Sequence, residues 1–304
     1  LGTVAEPIPM PGIDFHTHLA PLVDGPRRGP ERLYDPDALV ADLDRLDLDA
    51  AVVSIPPPFF RQELDAAGAA AWAREANEGL LRAIGDRDRL LALAYLPLEH
   101  PGVAAGEYAR VRADERFAGV VGSAGGGSAS MADPALEPLW SALSADRRLV
   151  LLHPGASPDP RLEAFYLHNL LGNPVETAVA VGQLVFGDVL RRHPGMRVVL
   201  VHCGGAVPGL VGRWQRGFDT SRPGVSTDAE PPREAVRRLW TDCLAHDPAL
   251  VDHAAETFGE DHLLLGSDWP FPMGTDDPAG QIAHRGEAFV RRVAVDNARA
   301  ALGR

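Results

Sequence analysis

Lysine is absent from the 304 residues, because all 29 basic side chains are arginine. This absence excludes a lysine Schiff base, and it also excludes a carbamylated lysine bridging two metal ions. Acidic side chains number 42, so the net charge is −13. Nucleic acids and anionic membranes bind basic surfaces, and we therefore expect neither as a partner. A small ligand or a protein partner remains, and a small-molecule substrate is the expected one.

Cysteine and long apolar runs are also scarce. Cys203 and Cys243 are the two cysteines of the chain, too few for a disulfide framework at this length. No apolar run reaches the ~18 residues that indicate a membrane span. Residues 1–11 lack the basic start and apolar centre of a signal peptide. These features predict a protein of the reducing cytoplasm.

Apolar, β-rich runs alternate with helical patterns along the whole chain. Each strand candidate is short, and helical spacing of apolar residues separates it from the next, most clearly over 62–84, 176–192 and 248–258. The eight strand candidates are the run before His16 and residues 50–55, 90–96, 118–122, 149–152, 197–201, 239–241 and 263–265. Continuous apolar strands separated by helices indicate a parallel sheet that is covered on both faces.

Eight such units predict an α/β protein of the closed (β/α)8 TIM barrel type. No linker or shift in composition interrupts the pattern, so we predict a single domain over residues 1–304. The alternative is a doubly wound open sheet. That alternative is weaker, because no Gly-x-Gly-x-x-Gly or phosphate-loop motif follows any strand candidate.

Imidazole and carboxylate side chains accompany the ends of the first, fifth, sixth, seventh and eighth strands. His16 and His18 are two residues apart, so in an extended chain both point to one face. The later ends carry His153, His202, Asp242 and Asp268. The carboxyl ends of barrel strands meet at one mouth, where active sites are built. Three histidines and an aspartate suit Zn²⁺ and also accept Mn²⁺, Fe²⁺ or Co²⁺, and without lysine one metal ion is favoured over two.

Six motifs resemble the amidohydrolase superfamily, in the branch of 2-amino-3-carboxymuconate-6-semialdehyde decarboxylase and related aromatic-acid decarboxylases. They span nearly the whole chain in the expected order: residues 14–18 (DFHTH), 152–154 (LHP), 171–177 (LGNPVET), 201–208 (VHCGGAVP), 241–248 (TDCLAHDP) and 266–272 (GSDWPFP). The resemblance implies that His16, His18, His153 and Asp268 are the metal ligands. It implies that His202 is a histidine outside the ligand set which, with Asp268, completes the catalytic pair.

The same resemblance implies contacts with substrate. A tryptophan that lines the decarboxylase pocket aligns with Asn169, which predicts a more polar wall here. The family's carboxylate-binding arginine, from the loop after the first strand, is matched by Arg32, with Arg28 as the alternative. A second arginine, contributed across a dimer interface, falls near Arg222, and so a homodimer is expected. Trp269 is expected at the mouth of the barrel.

Three residues within these motifs allow two interpretations each. Cys203 replaces a glycine of the family, and it is either a small buried thiol or a nucleophile. Asp242 either supports a ligand or His202, or it caps a turn, and His246 either shares that support or begins a helix. Other histidines are expected on the surface or at caps, with His168, next to Asn169, as the exception.

These features predict a mononuclear metal-dependent decarboxylase, a carbon–carbon lyase of a small carboxylated cyclic or aromatic substrate. His202 is expected to act as acid and base with a metal-bound water, because imidazole titrates near neutral pH. A hydrolase of an amide, lactone or ester would use the same residues on the same scaffold. A barrel that has lost its chemistry and only binds a partner is the third possibility, and the intact ligand set argues against it.

Overall fold

The computed structural model describes residues 12–303, so the segment considered above as a signal peptide lies outside the described residues. Eight parallel strands pair in sequence order within one sheet. Bridges from Asp14 to Leu265 and from Thr17 to Trp269 join the first strand to the end of the last. The sheet therefore closes, and the predicted TIM barrel is confirmed. The strands are β1 (Gly12–His18), β2 (Leu48–Ser54), β3 (Leu90–Tyr95), β4 (Phe117–Ala124), β5 (Leu149–Pro154), β6 (Arg197–Leu200), β7 (Trp240–Asp242) and β8 (Leu263–Leu264).

Helices surround the barrel. They are α1 (Pro36–Arg45), α2 (Ala66–Ile84), α3 (Pro101–Val111), α4 (Glu137–Ala145), α5 (Asn173–Phe186), α6 (Val189–Arg192), α7 (Val207–Asp219), α8 (Pro232–Ala235), α9 (Pro248–Phe258), α10 (Glu287–Arg291) and α11 (Ala298–Leu302). Segments His168–Gly172 and Arg292–Asn297 are π-helical. Over residues 12–303 none of the helices has the length and hydrophobicity to cross a membrane.

Local sequence explains the better-predicted helices. Helix α9 begins after Asp247, whose carboxylate accepts a hydrogen bond from the Ala249 N–H at 2.9 Å, and Pro248 occupies its first position. Gly259, with φ 109°, ends the helix. In α2 the buried residues recur at helical spacing and pack against the barrel. Burial of each large apolar side chain in such an interface stabilises the fold by about 1.5–3 kcal/mol.

The long helix predicted over 176–192 is wrong, because the structure has two helices there. Helix α5 ends at Phe186 and α6 begins at Val189. Between them Asp188 has φ 56°, a left-handed conformation that cannot continue a right-handed helix. The Asp188 carboxylate accepts hydrogen bonds from Arg191 Nε at 3.0 Å and from the Glu230 N–H at 3.1 Å. These contacts stabilise the left-handed conformation of Asp188 and therefore the break between α5 and α6.

Candidate metal centre and substrate cavity

Strand β1 presents two buried imidazoles to the interior of the barrel. The rings of His16 and His18 are 5.1 Å apart between centroids. The register of β1 against β2 shifts by one residue between Asp14 and Thr17. The Asp14 carboxylate accepts the His16 N–H at 3.0 Å and the Ser267 N–H at 3.1 Å. Asp14 thus ties the histidine motif to the loop after β8, and burial raises its pKa to about 6.

Three later elements bring the remaining predicted side chains to the same point. His153 is the residue before the last of β5, and its ring centroid lies 5.3 Å from that of His16. His202 follows β6, with its ring centroid 5.0 Å from that of His16. Asp268 follows β8, and its Oδ1 lies 3.3 Å from His16 Nε2 and 3.2 Å from His18 Nε2. One ligand-type atom each from His16, His153, His202 and Asp268 lies within 4.8 Å of the other three.

Three histidines and Asp268 each have one buried atom that lacks a hydrogen-bond partner among residues 12–303. They are His16 Nε2, His18 Nε2, His153 Nε2 and Asp268 Oδ1. Leaving a buried polar atom unsatisfied costs about 1–3 kcal/mol, and a single cation satisfies all four together. Burial lowers the pKa of His18 and holds that of His153 well below its ordinary value. Neutral imidazole is the form that binds a metal ion, and a set of three imidazole nitrogens and one carboxylate oxygen fits a divalent ion.

The second ring nitrogen, Nδ1, of His16, His18 and His153 contacts a polar group outside the cluster. His16 Nδ1 lies 2.8 Å from Asp242 Oδ2 and His18 Nδ1 lies 3.0 Å from Ser54 Oγ. His153 Nδ1 lies 3.1 Å from the Pro154 carbonyl oxygen. With Nδ1 engaged, each Nε2 faces the centre of the cluster. This arrangement is typical of histidines that bind metals, because the outer contact fixes the ring and its tautomer.

Asp242 supports both His16 and His202. Its carboxylate accepts the main-chain N–H groups of His202 at 3.0 Å, Cys203 at 2.8 Å and Leu244 at 3.1 Å. Burial opposes ionisation of this carboxyl, but the hydrogen bond and charge of His16, the charge of His202 and the Cys203 N–H together outweigh burial and lower its pKa. The contacts with His16 and His202 agree with the supporting role of Asp242, and the contact with the Leu244 N–H two residues later agrees with the turn cap, so the structure shows both arrangements.

The turn after β6 is a run of four residues with positive φ. The angles are 55° at His202, 56° at Cys203, 74° at Gly204 and 58° at Gly205. Such angles favour glycine, so Cys203 bears backbone strain. Burial raises the pKa of the Cys203 thiol well above its usual value, and the thiolate needed for nucleophilic attack is disfavoured. The structure therefore favours the buried-thiol interpretation of Cys203.

A cavity of about 320 Å³ opens above His153, His202 and Asp268. Its volume is at the lower end of the range for ligand pockets. Apolar lining residues come from the loops after β2 and β8, namely Pro57, Pro58, Phe271, Pro272 and Met273. Polar lining residues come from the segment between β5 and α5, namely Tyr166, His168, Asn169 and Asn173. The volume and the mixed apolar and polar lining suit a small organic ligand with polar groups.

Of the predicted substrate-binding residues, Asn169 lines this cavity, whereas Arg32, Trp269 and Arg222 do not. The Arg32 guanidinium lies 5.1 Å from the centre of the Trp269 ring. The indole N–H of Trp269 donates to Asp42 Oδ2 at 2.6 Å. Arg222 follows α7 and donates to the Thr220 carbonyl oxygen at 2.8 Å. Substrate binding by these three residues stays a prediction.

Three further residues make contacts that connect the loops around the cavity. Glu176 joins two loops, since its Oε2 accepts the Gly126 N–H at 2.8 Å and its Oε1 accepts the Ser157 hydroxyl at 2.6 Å. The Phe271 ring lies 5.4 Å from the His18 ring. His246 Nε2 lies 2.8 Å from the Met273 carbonyl oxygen, so this histidine holds the loop after β8. All three residues fall within motifs of the sequence, Glu176 in LGNPVET, Phe271 in GSDWPFP and His246 in TDCLAHDP, but the motifs did not predict these contacts.

A family model described as amidohydrolase matches residues 13–304. The chain belongs to the amidohydrolase family. This amidohydrolase is 29% identical over 260 residues to 2-amino-3-carboxymuconate-6-semialdehyde decarboxylase of Dictyostelium discoideum, covering 83% of this chain and 72% of the relative. It is 26% identical over 267 residues to gamma-resorcylate decarboxylase of Rhodococcus jostii, covering 79% of each chain. The family resemblance inferred from the motifs is confirmed.

A solved structure shares the fold across almost the whole chain. It is 5-carboxyvanillate decarboxylase of Novosphingobium aromaticivorans, with a TM-score of 0.82, 18% identity and 97% coverage of both chains. That structure holds manganese and 3-methoxy-4-hydroxy-5-nitrobenzoic acid. At this level of identity the likeness supports the fold, and it agrees with the barrel described above.

Proposed function

We propose that this member of the amidohydrolase family is a metal-dependent decarboxylase, a carboxy-lyase that acts on small aromatic carboxylates. The observation that carries the proposal is the set of four buried, unpartnered ligand atoms beside a cavity of about 320 Å³. Both relatives named above are decarboxylases, which favours a lyase over a hydrolase on the same scaffold.

The proposed site holds one divalent ion on His16, His18, His153 and Asp268. Asp268 divides its oxygens, because Oδ1 faces His16 and His18 whereas Oδ2 lies 3.7 Å from His202 Nε2. We therefore assign Oδ1 to the metal and Oδ2 to His202. Zinc is the proposed ion because imidazole-rich sites suit it, and manganese, iron and cobalt are the alternatives. When bound, the ion supplies Lewis-acid chemistry and stabilises negative charge that develops on the substrate.

His202 is the proposed proton-transfer residue. Its side chain is 23% exposed, whereas those of His16 and His18 are completely buried, so His202 reaches the substrate cavity. Asp268 Oδ2 can stabilise its protonated form. His202 delivers a proton to the ring carbon that bears the carboxylate. The carbon–carbon bond to the carboxylate then breaks, its electron pair returns to the ring, and carbon dioxide leaves.

Carbon dioxide release from a panel of hydroxy- and aminobenzoates tests the proposal. We expect release by the metal-loaded protein, loss of release after chelation, and recovery when Zn²⁺ or Mn²⁺ is restored. Metal analysis of the same samples is expected to give about one ion per subunit. Hydrolysis of aryl esters, lactones or amides without carbon dioxide release would favour the hydrolase. Well under one metal per subunit, with no gain in thermal stability on adding Zn²⁺, would favour the inactive binding barrel.

The proposed oligomer is a homodimer, and an exposed apolar stripe supports it. Leu171, Val175 and Val179 are spaced four residues apart, with exposed fractions of 47%, 39% and 45%, so they follow one face of α5 and the turn before it. Exposed apolar patches mark contact surfaces, and a two-fold axis buries the same patch on both copies. Light scattering is expected to show a dimer that Val179→Asp dissociates. A monomeric unsubstituted protein would contradict the proposal.

The remaining proposals concern the organisation and location of the chain. We propose that residues 1–304 form one domain, because a single barrel accounts for the described part of the chain from β1 to α11. We also propose a cytoplasmic location. Cys203 and Cys243 are buried free thiols, which supports a reducing compartment. Fractionation of cells that produce the protein tests this location.

A further inference from the structure

The cavity above the candidate metal centre has a buried end and an exposed end. His153 and Asp268 lie at the buried end, with exposed fractions of 3% and 5%. Tyr166 lines the same cavity, but 51% of it is exposed. Tyr166 therefore lies at the entrance, where the cavity meets solvent.

Two other walls of the cavity are held in place by the fold. Pro57 and Pro58 belong to the loop after β2, whose Phe59 carbonyl oxygen accepts the Trp72 indole N–H at 2.7 Å. Proline rings are rigid, so this wall resists displacement by a larger ligand. The segment after β5 is held by its hydrogen bond to the Glu176 carboxylate. A ligand must therefore fit the space that these walls leave.

Tyr166 is attached to the fold in a different way. Within residues 12–303 its hydroxyl makes no hydrogen bond, and its ring meets that of His168 edge to face, with 4.7 Å between the centroids. The Tyr166 side chain thus does not join one loop to another. A role toward a ligand explains its position at the entrance better than a role in folding.

The backbone around Tyr166 provides a second observation. Phe165 and Tyr166 have φ angles of 58° and 60°, and strained residues of this kind cluster at ligand sites. Their side chains diverge, because Phe165 is 87% exposed and is not among the lining residues. Phe165 is therefore a matched control for Tyr166, with the same backbone conformation and no place in the cavity.

The size of the cavity gives the Tyr166 ring its importance. A volume of about 320 Å³ is at the lower end of the range for ligand pockets. Met273, which is also exposed at the entrance, has a flexible side chain that adapts to a ligand. The tyrosine ring is planar, bulky and rigid, with only two rotatable side-chain bonds. Tyr166 is thus the side chain at the entrance that yields least to a larger ligand.

We propose that Tyr166 sets the upper size of the ligand, because it closes the entrance over a single ring and excludes a fused second ring. This inference rests on the proposed function, since it takes the anionic group of the ligand to lie at the metal centre. It assigns a specificity-determining role to a residue outside the six sequence motifs. Tyr166 has no part in the proposed proton transfer or metal binding.

Calorimetric binding of arylsulfonates to the zinc-loaded full chain tests the size limit without turnover, because a sulfonate cannot lose carbon dioxide. The probes are benzenesulfonate, 1-naphthalenesulfonate and 2-naphthalenesulfonate. All three carry one negative charge, so a cationic partner such as Arg32 affects their binding alike. We expect benzenesulfonate to bind at least about tenfold more tightly than either naphthalene isomer, because an oversized group strains a close-fitting pocket.

Matched variants assign the size limit to Tyr166. Tyr166→Ala widens the entrance, so at least one naphthalene isomer is expected to bind as tightly as benzenesulfonate or more tightly, because its second ring buries apolar area. Tyr166→Phe keeps the ring and is expected to keep the tenfold preference. Phe165→Ala removes an aromatic side chain of the same turn from outside the cavity and is expected to match the parent.

Metal content and circular dichroism check the folding of each variant. Tyr166→Gly, which suits a left-handed backbone, takes the place of Tyr166→Ala if the alanine variant does not fold. Four results would overturn the inference. They are equal binding of all three probes by the parent, an unchanged preference after the Tyr166 ring is removed, an equal loss of preference in Phe165→Ala, and failure of every probe to bind.

The inference and the proposed function fail separately. If removal of the Tyr166 ring abolishes the size limit but no benzoate releases carbon dioxide, the size limit stands and the decarboxylase is rejected. Carbon dioxide release together with an unchanged size preference after removal of the ring would do the reverse.

Discussion

Strands β1 to β5 contain six to eight residues each, whereas β6, β7 and β8 contain four, three and two. We call the two regions the long-strand half and the short-strand half. The long-strand half holds His16, His18 and His153 within its strands. The short-strand half holds His202 and Asp268 just beyond its strand ends, with φ angles of 55° and 56°.

This difference shows two ways of fixing a functional side chain. Ladder hydrogen bonds fix a residue within a strand. A residue in a strained turn needs other partners, and here they come from outside the turn. Asp242 accepts the N–H of His202 at 3.0 Å, and the Asp268 N–H donates to the His16 carbonyl at 2.8 Å. Asp268 therefore depends on β1 for its position, whereas His202 depends on Asp242 of β7. The short-strand half contains both the proposed proton-transfer residue His202 and the proposed ligand Asp268.

The largest expected effect separates the two halves by one substitution in each. His16→Ala removes a proposed ligand that lies within a strand, so we expect metal content far below one ion per subunit and loss of detectable activity. His202→Ala is expected to retain the metal while turnover falls about 10²–10⁴-fold, the usual contribution of a proton-transfer group. Metal analysis and carbon dioxide release measure both. If His202→Ala loses its metal as His16→Ala does, His202 belongs to the metal site and the proposal that it acts in proton transfer alone is wrong.

The second effect tests the link between the halves. Asp242→Asn preserves shape but weakens the contacts to His16 Nδ1 and to the turn after β6, so we expect metal affinity to fall about 10–100-fold. Competition with a chromogenic chelator measures the affinity. Asp247→Asn, at the cap of α9, is the control and is expected to leave the affinity unchanged. Equal metal affinities in the two variants would show that Asp242 does not support the site.

The third effect sharpens the comparison within the long-strand half, where Glu176 joins the loops after β4 and β5. Glu176→Ala removes two hydrogen bonds to a carboxylate, and we expect the free energy of unfolding to fall by about 2–3 kcal/mol. Glu176→Gln keeps one acceptor and one donor and is expected to lose less. Urea unfolding measures both, with the exposed Glu75→Ala as a control within about 0.5 kcal/mol of the parent. An unchanged Glu176→Ala would show that strand pairing alone holds these loops.

The smallest effect concerns strain in the short-strand half. Cys203→Gly and Cys203→Ala both delete the buried thiol, but only glycine relieves the left-handed backbone at φ 56°. We therefore expect the glycine variant to have a free energy of unfolding about 1 kcal/mol above that of the alanine variant. Urea unfolding of the two proteins measures the difference. A more stable alanine variant would mean that the turn is not strained.

Local patterns accounted for most of the fold. Residues 90–96 and 248–258 were expected as a strand and a helix, and the structure has Leu90–Tyr95 and Pro248–Phe258. Apolar periodicity and capping residues encode such elements directly. The break between α5 and α6 was not predicted, because Asp188 adopts its left-handed angle through contacts with Glu230, 42 residues away. Such a contact has no local signature.

The residues of the candidate site were likewise predicted only in part. Strand-end positions identified His153, His202 and Asp268, and the structure brings them together with His16 and His18. The substrate side was harder to predict. Asn173 was missed because its place in the cavity depends on a π turn, and Arg32 lies over the Trp269 ring instead of lining the cavity.

The sequence by itself determined eight strand–helix units and one pair of histidines facing the same way, because β-strand alternation and helical periodicity are properties of neighbouring residues. The tertiary structure alone decided that Asp268 turns one oxygen to His16 and His18 and the other to His202. It alone decided that Asp242 contacts both His16 and the turn after β6 and that Asn169 and Asn173 line the cavity. These arrangements depend on strained turns and on contacts between distant residues, which the order of the chain does not encode locally.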